Sequence, residues 1–212
     1  MNDLWAVIPS RSRRELLYTL VSQLVEDGVR VVVVDTGYEP QLTSQSPDVT
    51  VLRDLGPVNI SRWWNRGLDF VSTFMGQDDY VVAVLNDDIV VPPLLVQRLA
   101  AVIESTGAVA AYPDVYGVGR DYIQRDIPFG ARMAGFAFAL RGSAGIRADE
   151  SLVWWYGDND IDWQARQKGG VVGVGGLKIQ HLYANSTTVG ELADQAGRDR
   201  ETFTKKWGQP PW

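Results

Sequence analysis

VRVVVVD, residues 29–35, is an apolar run interrupted only by Arg30 and closed by an acid. A strand with one wet face alternates apolar and polar residues, whereas an unbroken β-branched run suits a strand covered on both faces. Upstream, LWAVI (4–8) reads as a short buried strand ending at Pro9. Between the two, RSRRELLYTLVSQLVEDG (11–28) sets Leu16, Leu17, Leu20, Val21 and Leu24 at helical spacing before Gly28. Strand, helix and strand in that order make a crossover unit of a parallel sheet.

The same alternation continues downstream. VTVLRD (49–54) reads as a strand, VNISRWWNRGLDFVSTFM (58–75) as a helix and DYVVAVLN (79–86) as the next buried strand. Pro92 and Pro93 fit the first turn of a helix running on through LLVQRLAAVIESTG (94–107), with AVAAYP (108–113) as the strand after it. From about Asp114 the pattern is less regular. RMAGFAFALRGSAG (132–145) suggests a strand, DNDIDWQARQKGG (158–170) a helix, VVGVGGLKIQHLY (171–183) one or two strands, and VGELADQAGRDRETFTKKWG (189–208) a C-terminal helix. The expected fold is α/β, a single domain with a mostly parallel central sheet flanked by helices. Loops around 36–48 and 114–130 are long enough to form a site.

Composition sets bounds on function. The chain has 212 residues, 45% hydrophobic and 22% charged, the balance of a globular protein with one sizeable core. Its longest apolar runs are strand-sized, so no membrane-spanning helix is expected. The N-terminus has no basic start followed by a long apolar stretch, which makes a cytoplasmic location the expectation. The absence of cysteine excludes disulfides, thiolate metal sites and a cysteine nucleophile. A net charge of −6 disfavours broad, non-specific binding to nucleic acid, which depends on Lys and Arg neutralising phosphates.

In open α/β sheets ligands sit beyond the carboxyl ends of the strands. That rule gathers Pro9 to Arg11, Asp35 and Asn86 to Asp88 along one edge. Acids so placed repel one another unless a cation or a hydrogen-bonding ligand lies between them, and a divalent metal holding a diphosphate suits the place. A polar turn closed by Asx hydrogen bonds is the alternative for Asn86 to Asp88. A second acidic group lies in WWYGDNDIDWQAR (154–166), where Asp158, Asp160 and Asp162 begin a helix and Asp162 pairs with Arg166 at i,i+4. Trp154, Trp155, Tyr156 and Trp163 crowd around them, either as core or as the aromatic wall of a sugar site, where rings pack on apolar sugar faces. His181 is the only histidine, a satisfied polar group or a ligand. No G-x-x-x-x-G-K-[ST] or G-x-S-x-G motif is present, and GGVVGVGGLK (169–178) fits the dinucleotide fingerprint poorly.

Taken in order, VIPSRSR (7–13), VVVVDTG (31–37), RWWNRGLDF (62–70), LNDDI (85–89), GDNDIDWQAR (157–166), the later His181 and FTKKWG (203–208) resemble the GT-A family 2 glycosyltransferases. The similarity covers nearly the whole chain and is strongest with compact members from bacteria and phages. It implies one Rossmann-like GT-A domain over residues 1–212, with a nucleotide-binding half at 1–113 and an acceptor half at 114–212 that includes the C-terminal helix. It implies that Pro9, Ser10 and Arg11 line the nucleotide pocket, that Asp35 binds base or ribose, and that Arg62 and Asn65 lie near the nucleotide and diphosphate. The triplet looks like the family's Asp-x-Asp motif with Asn86 in first position, so Asp88 and His181 become the metal ligands and Asp87 a nucleotide contact.

The family's Glu-Asp-x-Asp-x-x-x-Arg pattern lines up with Asn159 in the Glu place, then Asp160, Asp162 and Arg166. Asp160 is thereby the implied general base, and because Asn159 departs from the pattern, Asp158 competes with it. Trp64 departs too, standing where many members have an arginine that Arg62 would replace. The implied reaction is transfer of a sugar from a nucleotide-diphosphate sugar to an acceptor hydroxyl with Mn2+ or Mg2+ and inversion, in a pocket shaped by Trp154, Trp155 and Tyr156. The acceptor is left open among glycan, lipid-linked sugar, protein and modified DNA, and a second copy of so short a chain could complete the site. Two other classes compete. A nucleotidyltransferase would carry a Gly-rich N-terminal loop, which IPSRSRRE (8–15) lacks; a sugar-nucleotide-binding protein without catalysis is kept open by Asn159.

Overall fold

A computed structural model describes residues 3–76, 78–115, 117, 119, 121–125, 132–183 and 191–211. The opening run forms β2 (Arg30–Asp35), and every residue after Arg30 is buried. Beside it, in parallel, lies β1 (Asp3–Ser10), with Val7 opposite Val32 and Ser10 opposite Asp35. Pro9 does not end this strand: it sits within it, opposite Val34, because its fixed φ is compatible with extended backbone.

Eight strands form the main sheet, in the order β3 (Val49–Arg53), β2, β1, β4 (Tyr80–Leu85), β8 (Ala137–Arg141), β6 (Ala110–Pro113), β9 (Val171–Val174) and β7 (Tyr122–Gln124). β3, β2, β1 and β4 run parallel. β8 is inserted antiparallel between β4 and β6, β9 is parallel to β6, and β7 closes the edge antiparallel. Six strands therefore share one direction, as expected of a mostly parallel sheet. β7 lies inside the stretch expected to be loop.

The continuous apolar runs follow from the two covered faces. Ala6, Ile8, Val31, Val33, Val81 and Ala83 pack with the buried residues of α1 (Arg14–Glu26) and α3 (Leu95–Thr106). The alternate residues Trp5, Val7, Val32, Val34, Val82 and Val84 pack with α2 (Ile60–Met75) and α4 (Gly157–Lys168). Each such valine contributes about 1.5–3 kcal/mol by burial. α3 starts later than the prolines suggested. Pro92 and Pro93 precede it, Leu94 has a left-handed φ of 58°, and its N–H bonds Asp27 instead of continuing a helix.

Two smaller features set the site. β5 (Ile89–Val90) and β10 (Gln180–His181) form an antiparallel pair in which Ile89 faces His181, so the single histidine is brought beside the acidic triplet. The C-terminal helix α5 (Glu191–Trp207) packs on α4, with Phe203 fully buried 4.7 Å from the ring of Trp163. Among the described residues no helix is long and apolar enough to cross a membrane.

Candidate active site

Beyond the carboxyl ends of β1, β2 and β4 the chain encloses a cavity of about 520 Å³, within the range of small-molecule sites. Pro9, Ser10, Arg11 and Thr36 line it, together with Asn86, Asp87, Asp88 and His181, and with Trp154, Trp155, Tyr156 and Asp158.

The acids of the triplet are buried and tied together. Ser10 Oγ donates to Asp87 Oδ2 at 2.6 Å and lies 2.8 Å from the Tyr38 hydroxyl. Arg13 Nη1 bridges both acids, 3.0 Å from Asp87 Oδ1 and 3.2 Å from Asp88 Oδ2, and its guanidinium stacks 4.9 Å from the ring centre of Tyr183. Asp88 Oδ1 is buried and receives no aligned hydrogen bond; His181 Nε2 stands 3.2 Å from it. Burial would raise the Asp88 carboxyl, but His181 and then Arg13 bring it below its usual range. The imidazole rests on Phe136, ring centres 4.9 Å apart, with Asn86 Nδ2 3.5 Å from Nε2.

Also at the cavity, α4 opens with Tyr156 in a left-handed conformation, φ 65°, a strained state for a bulky residue at a helix start. The next residue is Gly157, where a Cβ would come within 2.6 Å of Ser61 Oγ on α2; the close approach requires glycine. Asp158 then borders the cavity, its Oδ1 accepting from Asn159 N at 2.9 Å. Gly135 presses against it from the other side and donates its backbone N–H; a Cβ there would lie 3.0 Å from Asp158 Oδ2. Enclosure by protein pushes the Asp158 carboxyl up to about 6.

The aromatic wall is held from behind by α5. Asp199, fully buried, accepts from the backbone N–H groups of Val153 (3.2 Å), Trp154 (2.8 Å) and Trp155 (2.8 Å). Trp155 Nε1 donates to Leu192 O at 3.0 Å. Trp63 meets Trp154 edge-on at 6.3 Å, and Trp63 and Trp64 both line the cavity with indole N–H groups that are buried and lack a protein acceptor.

Solved structures share this architecture. Staphylococcus aureus TarS, residues 1–349, matches with a TM-score of 0.53 at 14% identity, over 82% of this chain and 60% of that one. The same protein in complex with UDP gives 0.54 at 15%, over 79% and 57%. GalNAc-T7 with UDP, GalNAc and Mn2+ gives 0.62 at 14%, over 85% and 44%. This is the GT-A glycosyltransferase fold. The chain spans between 44% and 60% of the length of these solved chains. No protein-family model matches the sequence, and no curated protein sequence matches it.

Within the GT-A fold, four of the residues singled out from sequence lie away from the cavity. Asp160 is turned to α5: it is fully buried, its Oδ1 2.7 Å from Lys206 Nζ and 2.9 Å from Trp207 Nε1, its Oδ2 accepting from Asp149 N and Gln164 Nε2. With four donors and no cavity face, it is not placed to take a proton from a ligand. Burial alone would lower Lys206, but Asp160 and then Asp149 raise it above its usual value. Asp35 spends its carboxylate on the N–H groups of Gly37, Tyr38 and Leu42, closing the turn after β2. Burial would raise its pKa, and those three bonds with Arg53 hold it below the usual range. Arg62 pairs with Asp54 at 2.9 Å and does not take the place of an arginine at Trp64. Asn65 is buried against Ala148 and Glu150, tying α2 to the segment before α4.

The cavity also holds Arg13, Trp63, Thr36 and Phe136, to which the sequence assigned no role, and Trp64. Arg13 stands with Arg11 and Arg14 at the start of α1. The arginines are spaced one and two apart ahead of an apolar helix, and nothing local distinguishes the one that reaches inward.

A divalent cation implied by the triplet finds two donors, Asp88 Oδ1 and His181 Nε2. Two neighbouring ligands of an octahedral ion with bonds of about 2.1 Å stand about 3 Å apart, and these atoms are 3.2 Å apart. The orphaned Asp88 oxygen fits such an ion. Among the described residues no three His, Asp or Glu side chains converge on one point, which suits an ion that takes its remaining ligands from phosphate and water.

Proposed function

We propose that this chain is a glycosyltransferase that moves a sugar from a nucleoside-diphosphate sugar to an acceptor hydroxyl, with inversion and with the aid of a divalent cation. The observation that carries the reading is that Asp158 and the Asp88–His181 pair border one cavity. UDP in the TarS complex and UDP with Mn2+ in the GalNAc-T7 structure make UDP the first nucleotide and Mn2+ the first ion to try, with Mg2+ beside it.

Residues 1–113 supply the donor side: Pro9, Ser10 and Arg11 at the nucleotide, Asn86 and Asp87 beside the diphosphate. Residues 114–212 supply the acceptor side with Trp154, Trp155, Tyr156 and Asp158, and lend His181 back to the donor. Asp88 and His181 would hold a divalent cation, which when bound would supply positive charge to the departing diphosphate. Asp158 takes the proton from the acceptor oxygen as that oxygen bonds the anomeric carbon and the bond to the diphosphate breaks. Among the described lining residues, Asp158 is the one acid separate from Asp87 and Asp88. With Asp158 as base the acceptor oxygen displaces the diphosphate in a single step, which inverts the anomeric carbon. The carboxyl raised to about 6 is still mostly ionised at neutral pH and is a better proton acceptor than an ordinary aspartate. The aromatic rings pack on sugar faces and keep water from the anomeric carbon.

The test is a thermal-shift panel of UDP, GDP, TDP, CDP and ADP, each with and without Mn2+, on wild type and Asp88→Ala. Binding to the folded state at 100 times the dissociation constant adds about 2.7 kcal/mol. One diphosphate should stabilise wild type only with Mn2+, and Asp88→Ala should lose the effect; stabilisation by none of them overturns the reading.

A further inference from the structure

We infer that Arg13 makes cation binding at Asp88 conditional on the diphosphate: its guanidinium holds the two acids until the nucleotide arrives, then passes to the phosphate oxygens. This rests on the function proposed above and adds a diphosphate-binding residue to it.

The geometry assigns the role in three steps. First, one guanidinium nitrogen serves both Asp87 and Asp88, at 3.0 and 3.2 Å, so the acid pair carries one net negative charge in place of two. Secondly, Arg13 and the cation would share a single carboxylate. Arg13 occupies Asp88 Oδ2, while Oδ1 faces His181. Two positive groups on one buried carboxylate repel, and each weakens the hold of the other. Thirdly, Arg13 has a route of exit. Its side chain is 32% exposed, lines the cavity, and is otherwise backed by the half-exposed ring of Tyr183, while Asp87 keeps Ser10 and Asp88 keeps His181 when it leaves.

A diphosphate removes the conflict. It brings negative charge and accepts a guanidinium through two parallel hydrogen bonds, so cation and arginine can stay together only when it is present. Binding of cation and nucleotide then strengthen each other, and linkage requires the same factor in both directions.

The experiment counts free Mn2+ by electron paramagnetic resonance in titrations of wild type, Arg13→Gln and Arg13→Lys, each with and without UDP, after thermal unfolding has shown each variant folded. Arg13→Gln should bind Mn2+ alone at least roughly tenfold tighter than wild type. UDP should tighten Mn2+ binding by roughly tenfold or more in wild type and by clearly less in Arg13→Gln. Arg13→Lys, which keeps the charge but cannot donate two parallel hydrogen bonds to a diphosphate, should bind Mn2+ alone no tighter than Arg13→Gln and gain less from UDP than wild type. If Arg13→Gln binds Mn2+ alone no tighter than wild type while UDP tightens both equally, the role of Arg13 is overturned and the proposed function stands. If Mn2+ binds none of the proteins with or without UDP, the cation site itself is absent and both fall. Should Arg13→Gln not fold, an Arg13→Ala variant that folds and binds Mn2+ alone no tighter than wild type overturns the inference equally.

Discussion

Lys206 Nζ lies 2.7 Å from Asp160 Oδ1, on the first turn of α4 and only two residues from Asp158. Positions two apart on a helix point about 200° away from each other. Asp158 therefore borders the cavity while Asp160 is claimed by α5, and the two acids divide into a candidate base and a structural anchor.

That division separates two variants. Asp158→Asn should lower transfer by about 10²–10⁴ with nucleotide binding unchanged. Asp160→Asn should lower the melting temperature instead, with whatever transfer remains following the folded fraction. Steady-state kinetics beside isothermal titration with the nucleotide, on both variants, checks the pair.

Asp158 also sets a pH signature. As a base it must be ionised, so kcat should rise as pH increases through about 6. The stability effect has the opposite sense. Its folded pKa stands above the unfolded value of 3.8, so the folded state holds the extra proton between pH 4 and 6, and stability falls as pH rises through that window. Above it the buried charge costs at most about 3 kcal/mol, less to the extent that cavity water reaches it. Denaturant melts should find Asp158→Asn more stable than wild type at pH 7.5 and the two converging near pH 4.

Lys206→Met should leave Asp160 buried without its cation. Breaking a buried pair costs 3–5 kcal/mol, and because Lys206 is 34% exposed the expected loss is about 1–3 kcal/mol. Urea unfolding at pH 7.5 measures it.

Asp199→Ala removes the acceptor of three backbone N–H groups behind Trp154 and Trp155. The expected stability loss is about 2–4 kcal/mol. On the proposed reading the wall contacts the acceptor, so KM for the acceptor should rise more than kcat falls, and Asp199→Asn, which keeps acceptor oxygen, should recover part of the loss.

The sheet was legible because its signal is local. Val31 to Val34 are buried alternately on two faces, and such a run can be little other than an inner strand. The antiparallel insertion of β8 carries no such signal, since Ala137 to Leu140 would read the same in either direction. The lining of the cavity was legible where residues end or directly follow a strand, as Ser10 and Asn86 to Asp88 do. It was not legible where partners are distant. Arg13 finds Asp87 across 74 residues, and Asp160 finds Trp207 across 47. Asp35 and Asn65 have the right chemistry for a ligand and spend it on backbone, a choice decided by loop geometry. Residue type alone does not record it.

The most direct measurement follows release of nucleoside diphosphate from a panel of UDP-, GDP- and TDP-sugars, with Mn2+ and with a chelator, by wild type and Asp158→Asn. One donor should be turned over by wild type with Mn2+, and turnover should vanish with the chelator and in Asp158→Asn, while that variant still binds the nucleotide. No turnover of any donor despite tight nucleotide binding, or equal turnover by Asp158→Asn, would contradict a cation-assisted transferase with Asp158 as its base.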